Sequence, residues 1–468
     1  MVFSSLTFLF VFLPLVIIFY FIIKKRKYRN IVLLLFSLLF YAWGEPKNIF
    51  LMLITIFISY VFGLIINHYE NNKNIKTLFF IICLLLILSF LIYFKYFNFI
   101  LYNLSRIFRF NYNIKNIIMP IGISFYTFQI LSYIIDLFRG RIKVQKNIMN
   151  LALYVTLFPQ LIAGPIVRYT TIEDELTNRN ETLDGFVKGL KRFIIGLSKK
   201  VIIANNIAVI SDFVFDLPSQ NNYGMLIYWV GAIAYSLQIY YDFSGYSDMA
   251  IGLGEIFGFH FLENFDYPYI SKSITEFWRR WHISLGTWFK DYIYIPLGGN
   301  RVKKTRCILN LLIVWGLTGI WHGASFNFIL WGLYFGLILI VEKYLLKNVL
   351  NKINRYLLWL YSSFIIVIGW VIFRADGLYN VVSYIKKMFS FRSMNIMSLL
   401  SVNNIFIYFI FFAIGLIFVF PIKNHFLKKY ENNIVYKILS DIFILLLLVL
   451  CIVFLISSKY NPFIYFRF

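Results

Sequence analysis

The sequence contains few cysteines, few histidines and few acidic residues: 3 Cys, 5 His and 21 Asp or Glu among 468 residues. The cysteines Cys83, Cys307 and Cys451 do not form the closely spaced sets that bind zinc or the dense framework of a small disulfide-rich protein. We interpret each as a small packing residue in or beside an apolar helix. The composition therefore predicts neither a metal site nor a disulfide framework.

The shortage of acidic residues leaves a formal net charge of +24 at pH 7. Such a charge can indicate a nucleic-acid partner. Here the lysines and arginines fall in short loops between apolar runs, which is the pattern of cytoplasmic loops in membrane proteins. The first such loop, 24–29, follows an apolar segment that has no basic leader and no small-residue cleavage site. We expect that segment to be retained with its N-terminus outside, and we predict no nucleic-acid partner.

Long apolar runs extend from residues 2–23 to residues 438–456; 60% of the chain is hydrophobic and its mean hydropathy is +0.74. A soluble fold of this length could not cover so much apolar surface. Several runs are shorter than the length of about 20 residues that crosses the hydrocarbon core, so we expect tilted, interrupted or re-entrant helices buried by their neighbours. We predict an all-α, polytopic membrane protein of roughly 11–13 membrane helices, forming one domain over 1–468.

The most polar block inside this apolar chain is ITEFWRRWHISLGTWFKDYIYIPLGGNR, residues 274–301. Aromatic and apolar residues recur there at spacings of three and four, and Glu276 and Arg280 form an i,i+4 pair. An amphipathic helix in the membrane interface is therefore predicted near 274–292. The paired glycines of PLGGNR permit positive φ angles beside a group of cations. This arrangement suits an anionic ligand that approaches from the cytoplasm, while a simple membrane anchor is the alternative.

A second polar block, YDFSGYSDMAIG at 241–252, follows a long apolar helix. Gly245 is predicted to break that helix. The carboxylates of Asp242 and Asp248 need partners beside apolar spans, and we expect the arginines of the 274–292 helix to supply them. A structural salt bridge is the favoured interpretation, and direct catalysis is the alternative.

The stretch GIWHGASFNFILWG, residues 319–332, places His322 between two tryptophans in an otherwise apolar run. If a helix begins near Cys307, fifteen residues at about 1.5 Å each put His322 roughly 22 Å from the cytoplasmic edge, inside the membrane. Gly323 is predicted to break the helix there. Because a neutral imidazole can remove a hydroxyl proton near pH 7, His322 is interpreted either as a general base or as a structural histidine. His282 and His322 lack a third ligand at helical spacing, which argues against a metal.

Taken in order, these blocks resemble the bacterial membrane-bound O-acyltransferase (MBOAT) family, in the branch of the alginate O-acetylation and peptidoglycan O-acetyltransferase membrane components. The resemblance runs nearly from end to end. Besides the blocks above it includes MVFSSLTFLFVFLPL (1–15), FYAWGEP (40–46), MPIGISFYTFQILSYIIDLFRG (119–140), FPQLIAGPIVR (158–168) and NPFIYFRF (461–468). Gly286, Phe289 and Lys290 stand where the family pattern has a serine, a leucine and an arginine, which is a mild departure.

The resemblance implies a ring of tilted helices around a central funnel, with His322 of the WHG motif at its centre and His282 as the second histidine of the site. It implies a multi-pass protein of the bacterial cytoplasmic (inner) membrane, without a permanently bound cofactor, which takes an acetyl group from acetyl-CoA to O-acetylate an exported cell-surface polysaccharide. An extracytoplasmic transferase of the SGNH-hydrolase type is the expected partner, besides membrane lipids. The alternatives are a D-alanyl transferase of teichoic acids and a transporter or channel without chemistry of its own.

Further residues are assigned around the two histidines. Four cations are expected to hold the phosphates of the donor, with anchoring to anionic lipids as the alternative: Arg279, Arg280, Lys290 and Arg301. Four residues are expected to support the site: Asp242, Asp248, Trp321 and Asn300.

The C-terminal segment NPFIYFRF, residues 461–468, is dense in aromatic residues after Pro462, which ends the preceding helix. Its one hydroxyl belongs to Tyr465. The segment resembles the tyrosine-bearing tail that acts as an acyl relay in related acyl-transfer systems, and a phenol ionises more easily than a sugar hydroxyl. Tyr465 is therefore a candidate acyl acceptor, with an interfacial aromatic belt as the alternative.

Overall fold

Helices form the regular structure of the protein. The computed structural model describes residues 1–217, 223–390, 405–422 and 433–457. The first helices along the chain are α1 Leu13–Ile22, α2 Arg26–Gly44, α3 Ile49–His68, α4 Lys73–Leu91, α5 Phe97–Phe108, α6 Ile123–Phe138, α7 Ile148–Thr156, α8 Phe158–Leu161, α9 Tyr169–Ile172, α10 Glu175–Asn178, α11 Leu183–Ser198 and α12 Asn205–Phe215. They are followed by α13 Met225–Ile256, α14 Ile274–Arg280, α15 Ile283–Phe289, α16 Lys304–His322, α17 Phe326–Val341, α18 Lys347–Leu350, α19 Arg355–Arg374, α20 Gly377–Met388, α21 Ile405–Phe418 and α22 Ile434–Ser457. Turns of π-helix lie at Phe8–Phe12, Ile92–Tyr96, Lys199–Ala204, Lys290–Tyr294 and Glu342–Leu346, and a 3₁₀ turn at Pro268–Ile270.

Six helical stretches among the described residues are long and apolar enough to cross a membrane: Ile49–His68, Lys73–Phe108, Leu183–Phe215, Phe326–Leu350, Arg355–Arg374 and Ile434–Ser457. Shorter apolar helices lie at Phe8–Ile22, Ile123–Phe138 and Ile407–Phe418. The prediction of an all-α, polytopic membrane protein is confirmed. The estimate of 11–13 membrane helices and the central funnel stay predictions.

The chain groups into two compact units. The first contains Met1–Phe193 and Met249–Leu262, and the second contains Ile194–Asp248 and Glu263–Phe468. Two of the three boundaries fall inside helices, namely α11 and α13, and the third lies between α13 and α14. The assignment of 1–468 to a single membrane domain stays a prediction.

A buried arginine organises one end of the first unit. Arg179 is 2% exposed, and its Nε donates to the carbonyl of Phe257 at 2.9 Å and to the hydroxyl of Tyr20 at 3.1 Å. Glu181 accepts from Arg26 and, at 2.9 Å, from Arg29. Two cations of the basic loop 24–29 are therefore neutralised by a carboxylate of their own unit.

Glycines bring α16 and α17 of the second unit into backbone contact. A Cβ added at Gly319 would lie 2.3 Å from the carbonyl oxygen of Phe328, and one added at Gly332 would lie 2.3 Å from that of Trp315. No side chain fits at either position without movement of the backbone. Close packing through small residues is the usual way in which membrane helices associate.

The start of α14 is tied to the end of α17 by a carboxylate. Glu342, which is 4% exposed, accepts hydrogen bonds from the backbone N–H groups of Ile274 at 2.7 Å and Thr275 at 2.8 Å, and from the Thr275 hydroxyl at 2.7 Å. The first N–H groups of a helix lack partners within the helix and carry partial positive charge, so a buried anion is stabilised there. This contact fixes where the polar block 274–301 begins.

Candidate active site

His322 is the last residue of α16 and is 6% exposed. Gly323, which follows it, is fully extended, with φ −174° and ψ 158°, so the predicted break at Gly323 is confirmed. The helix begins at Lys304 rather than near Cys307. Its 19 residues span about 28 Å at 1.5 Å per residue, and the helix starts about one turn earlier than the sequence predicted.

Aromatic rings enclose the His322 imidazole. The ring centroids of Trp321 and Trp331 both lie 4.9 Å from it and that of Phe373 lies 5.1 Å from it, each at a steep angle to the imidazole plane. Edge-to-face contacts of this kind have a preferred geometry. They hold the imidazole in one orientation at the end of its helix.

The predicted helix near 274–292 is interrupted at His282. α14 ends at Arg280 and α15 begins at Ile283; between them Trp281 is extended, and His282 adopts the left-handed region with φ 46° and ψ 54°. This conformation costs a residue with a side chain roughly 1–2 kcal/mol. It is stabilised by the preceding segment, since Asp266 N donates to Arg280 O at 2.9 Å and Ile283 N donates to Asn264 O at 3.0 Å.

The His282 side chain points away from solvent and is 2% exposed. Its Nδ1 lies 3.1 Å from Oδ1 of Asn264, and its ring centroid lies 4.7 Å from that of Phe243. Burial lowers the pKa of His282 to about 3, because a charged imidazolium is poorly solvated there. His282 is therefore neutral at physiological pH.

A cavity of about 910 Å³ lies beside α14, α15 and α16. Its lining includes His282 and three of the four predicted phosphate-binding cations, Arg279, Lys290 and Arg301. Along α16 the lining includes Thr318, which is one turn before His322 on the same helix face. The volume is in the range of pockets that bind substrates and cofactors.

Arg280 is the predicted cation that does not line this cavity. Its guanidinium donates to Asp266 at 3.0 Å and to Glu276 at 3.0 Å. The i,i+4 pair with Glu276 is confirmed, and the assignment of Arg280 to the donor's phosphates stays a prediction.

The PLGGNR turn has the predicted left-handed glycines, with φ 103° at Gly298 and φ 55° at Gly299. Oδ1 of Asn300 accepts from the Tyr294 hydroxyl at 2.7 Å and from the ammonium of Lys343. Asn300 also lines the cavity, and its amide oxygen holds the turn in place. Cys307 is buried as predicted, but it is more than a packing residue because its thiol lies 3.1 Å from the Lys343 ammonium.

The partners of Asp242 and Asp248 differ from the prediction. Asp242 pairs with Lys200 at 2.7 Å, and both side chains are 3% exposed or less; Asp248 pairs with Lys199 at 2.6 Å. The salt bridges are confirmed, but lysines rather than the arginines of 274–292 supply the positive charge.

Gly245 does not break its helix, because α13 runs unbroken from Met225 to Ile256. A Cβ on Gly245 would lie 2.7 Å from the carbonyl oxygen of Gly196. This glycine therefore permits a close approach of two helical segments. The approach brings the lysines at the end of one segment beside the carboxylates of the other.

Comparisons with known proteins identify the family of the chain. A protein named "Probable alginate O-acetylase AlgI" from Pseudomonas aeruginosa is 43% identical over 408 residues, which cover 86% of this chain and 78% of that protein. The chain belongs to the membrane-bound O-acyltransferase family. The family model for MBOAT matches residues 138–351, which contain both histidines, the cavity and the lysine–aspartate pairs. The protein is thus an O-acyltransferase.

Two other MBOAT relatives are informative. The peptidoglycan O-acetyltransferase of Helicobacter pylori is 36% identical, over 83% of this chain and 80% of that protein. The teichoic acid D-alanyltransferase of Bacillus subtilis is 31% identical, over 53% of this chain and 64% of that protein. The likeness to the acetyl-transferring relatives is therefore both higher and more extensive.

Several side chains that hold the MBOAT site were missed from the sequence. They are Lys199, Lys200, Ser247, Asn264, Ser284 and Glu342. The only available signal was that each is a polar residue inside or beside an apolar stretch. Among the described residues no group of three or more His, Cys, Asp or Glu could hold a metal ion. Tyr465 and the tail 461–468 lie outside the described residues.

Proposed function

We propose that this MBOAT protein takes an acetyl group from acetyl-CoA at the cytoplasmic face of the bacterial inner membrane and passes it across for the O-acetylation of an exported polysaccharide. The relatives named for alginate and peptidoglycan O-acetylation support acetyl as the acyl group and a polysaccharide as the final acceptor. The observation that carries the proposal is the cavity whose lining combines three cations with His282 and extends along α16 to Thr318, one turn before His322.

The cavity has the chemistry that a coenzyme A thioester requires. Arg279 and Arg301 offer planar guanidinium groups that match phosphate oxygens, and Lys290 adds a third positive charge. Its walls are largely apolar, with Trp278 and Trp315 among the lining residues, and these suit the donor's long arm. In this arrangement the phosphates lie at the cations and the thioester points towards His282.

His322 then acts as the general base. It removes the proton of the acceptor hydroxyl while the hydroxyl oxygen attacks the thioester carbonyl carbon. The C–S bond breaks, the sulfur leaves as a thiolate, and the proton passes from the imidazolium to that thiolate. The products are an acetyl ester and free coenzyme A. Such assistance is typically worth about 10²–10⁴ in rate.

The first acceptor in this scheme is Tyr465 of the C-terminal segment 461–468. Its phenol is a better leaving group than a sugar hydroxyl, so an acetyl-tyrosine ester is suited to onward transfer. The acetyl group then passes to an extracytoplasmic transferase of the SGNH-hydrolase type, which acetylates the polysaccharide. Direct transfer without Tyr465 is the alternative route.

Purified protein in lipid vesicles tests the proposal. Acetyl-CoA labelled in the acetyl group should lose its label to the protein or to an added acceptor, with release of free coenzyme A, and His322→Ala should abolish this release. Transfer from a D-alanyl carrier-protein thioester but not from acetyl-CoA would instead establish the teichoic acid activity. Solute flux that persists in His322→Ala, without thioester cleavage by the native protein, would identify a transporter.

A further inference from the structure

The side chain of Asn264 makes four polar contacts with its neighbours although the residue is only 1% exposed. Its Nδ2 donates to the Ser247 hydroxyl at 3.1 Å. Its Oδ1 accepts from the backbone N–H of Ser284 at 3.2 Å and from the Ser284 hydroxyl at 2.8 Å, and it lies 3.1 Å from Nδ1 of His282. One amide thus connects two helices, α13 and α15, to the histidine at the interruption.

These contacts fix the orientation of the Asn264 amide. A backbone N–H can only donate, so the atom that faces Ser284 N must be the carbonyl oxygen. The NH₂ group is then on the side of Ser247, where a hydroxyl oxygen can accept. The orientation follows from hydrogen-bond chemistry even though amide oxygen and nitrogen look alike in shape.

The same oxygen determines where the proton lies on the neutral His282. A carbonyl oxygen 3.1 Å from Nδ1 stabilises an N–H there and repels a lone pair. Nδ1 therefore carries the proton, and Nε2 has the lone pair. Within the described chain Nε2 is buried and has no hydrogen-bond partner, and His282 lines the cavity.

We propose that Asn264 is a positioning residue that holds His282 in its Nδ1–H tautomer, so that Nε2 accepts a hydrogen bond from an N–H or O–H group of the acyl donor in the cavity. A buried acceptor without a partner is costly, and a substrate that donates to it relieves that cost. Ser247 in turn orients the Asn264 amide, because its hydroxyl accepts a hydrogen bond from Nδ2. This inference rests on the proposed function only in taking the cavity as the donor site.

A direct measurement of the tautomer tests the inference independently of activity. Protein labelled with ¹⁵N-histidine is examined by solid-state NMR, and the His282 signals are those absent from His282→Ala. A protonated Nδ1 and a bare Nε2 are expected in the native protein. A protonated Nε2 would overturn the proposal, whatever the activity of the protein. If Nδ1 is protonated as expected but the protein does not cleave acetyl-CoA, the proposed function is wrong and the role of Asn264 in fixing the tautomer still holds.

Substitutions at Asn264 supply the kinetic test. Asn264→Leu cannot accept from Nδ1–H, so donor cleavage should fall at least tenfold, with a protonated Nε2 appearing in the NMR spectrum. Asn264→Asp still accepts from Nδ1–H, so it should recover much of that loss at high pH. Because its carboxylate favours the imidazolium, the acid limb of its pH profile should move to higher pH.

Charged and titratable groups on the surrounding elements are the same in both variants: Asp242, Asp248, Asp266, Arg279, Arg280, Lys290 and His322. The shift of the acid limb therefore reports on the new carboxylate beside His282. His260→Ala, an exposed histidine of the first unit, is the matched control. Equal losses in Asn264→Leu and Asn264→Asp with an unchanged pH profile would show that Asn264 only supports the fold.

Discussion

The imidazoles of His282 and His322 pack against the same indole, that of Trp321, with ring centroids 6.1 Å and 4.9 Å from it. The two histidines are 40 positions apart in the sequence, and one lies at an interruption between short helices while the other ends a long helix. The Trp321 indole is therefore a neighbour that the two imidazoles share.

Replacement of His322 should stop acyl transfer. We expect His322→Ala and His322→Gln to lower the rate of coenzyme A release from acetyl-CoA by about 10²–10⁴, because the acceptor proton then has no base. Membrane insertion and thermal stability, measured in the same samples, should change little for His322→Gln, which retains a polar side chain of similar length. Full activity in either variant would remove His322 from the mechanism.

Loss of a cation that lines the cavity should weaken donor binding. We expect Arg279→Ala and Arg301→Ala each to raise the KM for acetyl-CoA roughly tenfold or more, since a hydrogen bond to a charged group contributes about 1.5–3 kcal/mol. Lys304→Ala is the matched control, because Lys304 begins α16 three residues after Arg301 but does not line the cavity. Comparable small effects in all three variants would favour anchoring to anionic lipids.

Arg280→Ala distinguishes the ion-paired arginine of α14 from Arg279, which lines the cavity. Because Arg280 is paired with Asp266 and Glu276, its loss should leave the KM for acetyl-CoA near the native value and lower the melting temperature slightly. A rise in KM as large as that of Arg279→Ala would return Arg280 to the donor site. Both quantities can be measured on one detergent preparation.

The Lys200–Asp242 pair should behave as a buried salt bridge. Asp242→Asn or Lys200→Met alone leaves one buried charge without its partner, which typically destabilises a protein by about 3–5 kcal/mol. The double variant removes both charges and should recover much of this loss. Additive losses in thermal unfolding would show that the two residues do not depend on each other.

Sequence patterns predicted the class of fold and several features of the site because these depend on local chemistry. Apolar runs predicted helices, Gly323 predicted the end of α16, and the PLGGNR glycines predicted positive φ angles. The interruption at His282 could not be predicted, since the spacing of aromatic residues in 274–292 fits a continuous helix. It depends on the hydrogen bonds that Asn264 accepts from Ile283 and that Asp266 donates to Arg280, and these residues meet only after folding.

The partners in the ion pairs also could not be predicted from the sequence. Asp242 and Asp248 were recognisable as carboxylates that need partners, but the sequence offers lysines and arginines in many loops. Lys199 and Lys200 are the partners because Gly245 has no side chain and lets α13 approach the segment that contains these two lysines. A glycine in the middle of a polar block commonly marks a helix break, and local sequence does not distinguish this from a close approach of two helices.

The tail offers a separate prediction. Tyr465→Phe retains the aromatic ring and removes only the nucleophile, so product O-acetylation should be lost while binding of acetyl-CoA and membrane insertion remain. Tyr460→Phe, just before the tail, serves as the control. Normal product O-acetylation in Tyr465→Phe would support direct transfer to the partner or acceptor.

The backbone contact between α16 and α17 limits how the proposed base can move. Gly319 and Gly332 leave no room for a side chain between the two helices. We therefore expect α16 and α17 to move as one unit, with His322 at the turn between them. Under the proposed function, an acceptor would reach His322 either by a movement of this unit or by a rearrangement of the aromatic rings around the imidazole.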